Sequence, residues 1–337
     1  MEYTFKTLDE LISRVEQYRC RRKRKRNNNS YGLREVKCAP SDIEIPYNVD
    51  MERLSECIHP LRKLNNLVGM DDLKKDIINQ ILFYSQDLNT NEMMHTCLMG
   101  PPGVGKTTLG KILSELYCSL GFLKSDKFTI VTSADLIAGY IGQTAIKTKK
   151  VLNSSLGGVL FIDEAYSIGT GDSDYVGYSK ECADTINAFL SEHTSNFIMI
   201  IAGYQKDLDN CFFSLNQGLR RRFPWIYDIK KYSIENLVDI FKYQVSDNRW
   251  YFGDCVTTES LKAIFQEHFG VFEHNGGDTL ALFDKAKICH SRRVFGKKWK
   301  FKRTLIIADI RHGAELLKFH KSKVNPDKRE IPFGMYT

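Results

Sequence analysis

Residues 100–107 read GPPGVGKT, and the fold follows from what stands on either side of them. Before them, TCLMG (96–100) is a short apolar run of strand character; after them, KTTLGKILSELYCSLG (106–121) carries helical periodicity and closes on Gly121. A strand, a glycine-rich turn with the spacing GxxxxGK[ST] and a helix form a phosphate-binding loop. Backbone N–H groups around Gly103, Val104 and Gly105 are expected to wrap a β-phosphate, with Lys106 reaching the β- and γ-phosphates. The Thr107 hydroxyl is offered to Mg²⁺. Gly100, Pro101, Pro102 and Thr108 complete the expected binding segment.

The second half of such a site is GGVLFIDEAY (157–166), where the apolar run Val159–Ile162 ends in two carboxylates. Buried strands rarely end in paired carboxylates without a use for them. Asp163 is expected to hold the metal, directly or through water, and Glu164 to orient or deprotonate the attacking water. Together the two motifs imply hydrolysis of ATP with Mg²⁺.

Around these motifs, helical and strand signals alternate. LKKDIINQILFYSQDL, TAIKTKKVLNSS and KECADTINAFLSEH read as helices; KFTIVTS and NFIMIIAG read as strands. This order predicts an α/β domain with a mostly parallel sheet and helices on both faces. Past Tyr232 strands fade, and SIENLVDIFKYQVSD, TTESLKAIFQEHF and GDTLALFDKAKICHSRRVF predict a helical subdomain. The expected division is 1–60 extension, 61–231 nucleotide domain, 232–315 helical lid and 316–337 tail.

The bulk composition is consistent with this. The chain has 337 residues, 42% hydrophobic, with a net charge of +7. Its nine cysteines contain no CxxC pair, which argues against a zinc ribbon or a disulfide framework. No run approaches a membrane span, and the N-terminus lacks signal-peptide character, so the expected compartment is cytoplasmic. TLDELISRVEQYR predicts a short helix capped by Thr7, followed by the six cations Arg21–Arg26 and an asparagine run, read as an exposed mobile segment. That run suits a solvated linker, a polyanion contact or a nuclear address.

Five stretches carry a family resemblance: LVGMDDLKK, LMGPPGVGKTTLGKIL, DLIAGYIGQTAIKTKKVL, GGVLFIDEAYSI, and IIAGYQKDLDNCF with NQGLRRRF. Over roughly residues 61–295 the chain resembles AAA+ ATPases of the clade containing red-type rubisco activase (CbbX/CfxQ-like) and stage V sporulation protein K. The resemblance implies a P-loop three-layer α/β sandwich with a helical lid, assembled as a ring, usually a homo-hexamer, with ATP sites at subunit interfaces. It implies that Arg222 is an arginine finger, with Arg220 or Arg221 assisting, and that Val68 and Gly69 line the adenine. It also implies that Tyr140, Ile141 and Gly142 form a central-pore loop that grips a protein client. The first-sensor segment, Ile200–Gly203, is weak by residue type, and the second-sensor arginine expected near the start of the last lid helix is replaced by Gly277, with Arg292 and Arg293 as substitutes.

Two other functional readings stay open on the sequence. Between Lys287 and Arg303 stand eight Lys or Arg, no acid, and the aromatics Trp299 and Phe301. That mixture suits nucleic acid, an acidic protein or a wet helix face, so a nucleic-acid motor or packaging factor is one alternative. A slow-turnover ATP-binding switch, suggested by Gly277, is the other.

Overall fold

The computed structural model describes residues 7–30, 50–86, 88, 93–140, 142–170, 176–297 and 302–324. Two compact units result: Met1–Gly100 with Lys106–Ile229, and Pro101–Gly105 with Lys230–Thr337. The chain therefore changes unit twice within the glycine-rich loop.

In the first unit the elements run α1 (Leu8–Ser30), α2 (Met51–Glu56), α3 (Ile58–Asn65), α4 (Asp71–Ser85), β1 (Thr96–Met99), α5 (Lys106–Ser119), β2 (Phe128–Val131), α6 (Ser133–Leu136) and α7 (Thr144–Ser154). There follow β3 (Val159–Ile162), α8 (Val176–Glu192), β4 (Ile198–Gly203), α9 (Gln205–Asp207), α10 (Leu219–Arg222) and β5 (Trp225–Asp228). The five strands form one sheet in the order β2-β3-β4-β1-β5, every pair parallel. Strands β1, β3 and β4 are buried throughout, as a parallel sheet covered on both faces requires. Each fully buried Val, Leu, Ile or Phe there contributes on the order of 1.5–3 kcal/mol.

Strand β5 has no counterpart among the strands expected from the sequence. Its window follows Pro224 and three arginines, and only Tyr227 is buried. What holds it is tertiary. Its backbone pairs with β1, and the Tyr227 hydroxyl donates to Gln80 Oε1 of α4 at 2.8 Å. The N-terminal helix also departs from expectation. Thr7 Oγ1 accepts the Glu10 N–H at its start, as expected, but α1 continues through Arg21–Arg26 to Ser30. Lysine and arginine are good helix formers, and neither Gly nor Pro interrupts the run.

The second unit contains α11 (Ile234–Asp247), β6 (Tyr251–Phe252), α12 (Thr258–Glu267), α13 (Gly276–Val294), β7 (Thr304–Leu305) and α14 (Ile307–Val324). Ser233 and Thr257 cap α11 and α12, each through a capping box. Apolar stripes on these helices close over a separate core containing Phe241, Phe265, Leu282, Phe283 and Ile310. The stretch RTLIIADI supplies both structures the sequence allowed, a two-residue strand and the first turn of α14. That helix runs across the 315/316 boundary. The expected tail from 325 onward lies outside the described residues, as do Trp299 and Phe301.

Candidate nucleotide site

The first unit places the ends of β1 and β3 along the same edge of the sheet, with β4 between them. At the end of β1, Lys106 Nζ donates to the Gly100 carbonyl at 2.8 Å and lies 5.6 Å from the centre of the Tyr204 ring. Burial lowers the Lys106 pKa, and the nearby carboxylates of Asp163 and Glu164 oppose that shift. At the end of β3, Asp163 Oδ2 accepts from Thr107 Oγ1 at 3.3 Å. The hydroxyl and the carboxylate, 56 positions apart in sequence, thus converge on one point. They are hard oxygen donors of the kind Mg²⁺ takes when it keeps several waters and substrate phosphates as its other ligands.

Glu164 follows directly, with φ 49° and ψ 48°, a left-handed conformation uncommon for a residue with a side chain. Backbone strain of this kind clusters at functional sites. Next to it, burial and then the Glu164 carboxylate push the Tyr166 hydroxyl up to about 12. Tyr166 packs against Tyr204, ring centres 5.8 Å apart. These two tyrosines are absent from the sequence-derived site. Their signal was position alone: Tyr204 directly follows buried β4 and Tyr166 stands four residues past the end of buried β3, at the edge of the sheet that bears the lysine and the carboxylates.

In the second unit, the apex of the loop is built as tightly as its glycines suggest. Gly103 has φ +71°, and a Cβ there would lie 1.9 Å from the His274 carbonyl oxygen. No side chain fits.

A model of the ATPase family associated with various cellular activities (AAA) matches residues 96–230. A putative cfxQ-like protein, R730, of Acanthamoeba polyphaga mimivirus is 38% identical over 270 residues, covering 79% of this chain and 66% of the viral protein. Stage V sporulation protein K of Bacillus subtilis is 35% identical over 223 residues, covering 62% of this chain and 68% of that protein. The chain belongs to the AAA ATPase family. ATP hydrolase activity goes with that membership, and within the family the chain stands with the CfxQ-like and sporulation K proteins. It spans about two thirds of the length of these two relatives. Among solved structures, the FIGL-1 AAA domain in complex with ADP superposes with a TM-score of 0.55 at 17% identity, covering 80% of this chain and 90% of that one. That likeness supports the fold.

Other expected site residues of this AAA ATPase fall in distinct surroundings. Tyr140 is 73% exposed, beside Gly142, which has φ +76°; Ile141 lies outside the described residues. The base of that loop is pinned. Thr144 Oγ1 accepts the Ala138 N–H at 3.2 Å, Lys147 donates to the carbonyls of Ala134 and Ile137, and Thr148 donates to Leu136. Val68 precedes two left-handed residues, Gly69 and Met70, and Lys74 holds this turn through the Asn65 and Leu67 carbonyls.

The three arginines differ from one another. Arg220 is bound internally to Asp209 and lies over the Phe213 ring, and Arg221 is exposed. Arg222 is half-buried, and its enclosed Nε has no acceptor among the described residues. Near it, His95 is wholly buried, its Nδ1 accepting the Met199 N–H at 3.0 Å. Burial and then the Arg222 charge push its pKa down to about 3.

One expected substitute for the missing sensor arginine is committed elsewhere. Arg293 binds Asp309 through Nε at 3.0 Å and Nη2 at 2.8 Å, and donates to the Thr304 carbonyl. Asp309 also accepts the Ile306 N–H, so this pair ties α13 to the start of α14. Among the described residues no group of three or more His, Cys, Asp or Glu is placed to hold a metal, and no helix is long and apolar enough to cross a membrane.

Proposed function

We propose that this AAA ATPase converts ATP hydrolysis into pulling on a protein client through the pore of a ring. The observation that carries this reading is Tyr140: an aromatic side chain 73% exposed, at the tip of a loop whose base is held by four hydrogen bonds to neighbouring backbone and hydroxyl groups. Exposing a large ring to water has no folding advantage. An exposed aromatic ring on a loop whose base is anchored suits a lever, because movement of α6 or α7 is passed on to Tyr140. An aromatic face grips polypeptide by area, with little demand on sequence.

For the chemistry, Mg²⁺ bound with ATP supplies charge neutralisation on the β- and γ-phosphates. Thr107 and Asp163 are the residues to hold it, directly or through water. Lys106 adds a positive charge on the phosphates, and Glu164 positions the attacking water and takes its proton. Val68 and Gly69 cover the base. Arg222 completes the site of the next subunit by reaching the γ-phosphate, where it stabilises charge developing in the transition state. The unpartnered Nε of Arg222 supports this role, since an enclosed guanidinium N–H without an acceptor costs roughly 1–3 kcal/mol in an isolated subunit.

The test is ATPase activity of the purified chain with an unfolded polypeptide, and separately with single-stranded DNA or RNA. Stimulation by polypeptide that disappears in Tyr140→Ala is the expected result. Stimulation by nucleic acid alone, falling steeply with salt, would overturn the proposal in favour of a nucleic-acid motor.

A further inference from the structure

Three successive carbonyls of the glycine-rich loop are each held by a different donor from the C-terminal part of the chain. Asn275 Nδ2 donates to Pro102 O at 3.1 Å, the Gly276 N–H to Gly103 O at 3.0 Å, and the Tyr232 hydroxyl to Val104 O at 2.8 Å. All of these residues belong to the second unit. A peptide group is planar and trans, so its C=O and the following N–H point in opposite directions. Fixing the carbonyls of Pro102, Gly103 and Val104 on one side therefore turns the N–H groups of Gly103, Val104 and Gly105 to the other. Those are the three donors expected to wrap the β-phosphate.

The residue at the centre of this arrangement is under strain. Asn275 has φ 48° and ψ −120°, the first central position of a turn that favours glycine, and the turn is closed by the Gly277 N–H on His274 O at 3.0 Å. The residues on either side in sequence, His274 and Gly276, offer no side-chain amide, and a glycine at 275 would suit the backbone better. The asparagine is nevertheless wholly buried, and both ends of its amide are used. Its Oδ1 accepts the Tyr232 N–H at 3.2 Å while its Nδ2 holds Pro102. Around it the turn is fully tied: Asp278 Oδ2 accepts the His274 N–H and Oδ1 pairs with Lys321, while Gln244 donates to Gly276 O and accepts from Thr279. Burial pushes the Tyr232 hydroxyl up to about 12, so it stays a donor at any working pH.

We infer that Asn275 and Tyr232 are positioning residues for nucleotide binding, holding the carbonyl side of the phosphate loop so that its N–H side is set before ATP arrives. Nucleotide affinity is then governed from Tyr232 and the N-cap of α13, although the first turn of that helix carries no arginine. This rests on the reading of the loop as a nucleotide site.

The experiment measures MgADP binding by calorimetry on the full chain, together with thermal unfolding without nucleotide, for the unsubstituted protein, Asn275→Gly and Tyr232→Phe. Asn275→Gly relieves the backbone and removes the amide; Tyr232→Phe keeps the ring and removes one donor. The expected result is an unfolding temperature of the nucleotide-free protein unchanged or raised in Asn275→Gly, with MgADP binding about tenfold weaker, and about fivefold weaker in Tyr232→Phe. Wild-type affinity in both variants overturns the inference and leaves the nucleotide reading intact. So does an affinity loss matched by a fall in unfolding temperature, which is what a merely structural asparagine would give. Absence of MgADP binding by the unsubstituted chain overturns both.

Discussion

At the scale of single residues, the loop tolerates nothing at Gly103. Its left-handed φ and the His274 carbonyl, 1.9 Å from where a Cβ would sit, both oppose a side chain. Gly103→Ala is expected to destabilise the fold by more than about 1 kcal/mol, measured by urea unfolding. His95 gives a pH-dependent term. Its pKa falls from the ordinary 6.5 to about 3 in the folded chain, so the unfolded chain binds a proton that the folded one refuses. The contribution is fully present above pH 6.5 and is lost as pH falls toward 3. Between pH 7 and pH 5 it accounts for about 2 kcal/mol. His95→Asn should lose correspondingly less stability over that interval; an identical pH profile would show that the imidazole titrates freely. Arg222 lies beside this histidine, and its replacement by alanine is expected to lower ATP turnover at least a hundredfold with nucleotide affinity retained.

At the scale of elements, the first turn of α13 poses a separate question. The Cβ position at Gly277 meets nothing within 4 Å, so the helix carries a glycine there without a packing reason. Gly277→Ala is expected to raise the unfolding free energy by about 0.5–1 kcal/mol, read from the urea midpoint. Helix α7, which follows the Tyr140 loop, makes a second case. Glu181 Oε1 of α8 accepts the Ala145 N–H at 3.2 Å, capping α7 from outside, while Asp184, three residues on, accepts from Asn216 at 2.7 Å in the segment leading to α10. One helix thus touches both the base of the Tyr140 loop and the arginine segment. Glu181→Ala should reduce polypeptide stimulation of ATPase activity more than it reduces stability, with a loss of about 1 kcal/mol from the missing cap.

At the scale of the whole molecule, the proposed ring is the next thing to measure. With MgATP, the Glu164→Gln chain is expected to elute as an assembly of several subunits, because on the proposed mechanism bound ATP would be retained and each site would draw on a neighbour's Arg222. An unchanged monomer under those conditions, together with full turnover by Arg222→Ala, would remove the ring and the pore with it.

What the sequence determined by itself was everything encoded in short, contiguous spans. The glycine-rich loop between β1 and α5, the carboxylates ending β3 and the helical stripes of α5, α11 and α12 are each set by residues within a turn or two of one another, where local backbone geometry and periodicity decide. Strand β5, the pairing of Tyr166 with Tyr204, the commitment of Arg293 to Asp309 and the grip of Asn275 on Pro102 were decided only by tertiary structure. Each joins residues far apart in the chain, and each depends on which side chain finds a partner once both are buried, a choice that hydrogen-bond satisfaction makes and that spacing does not record.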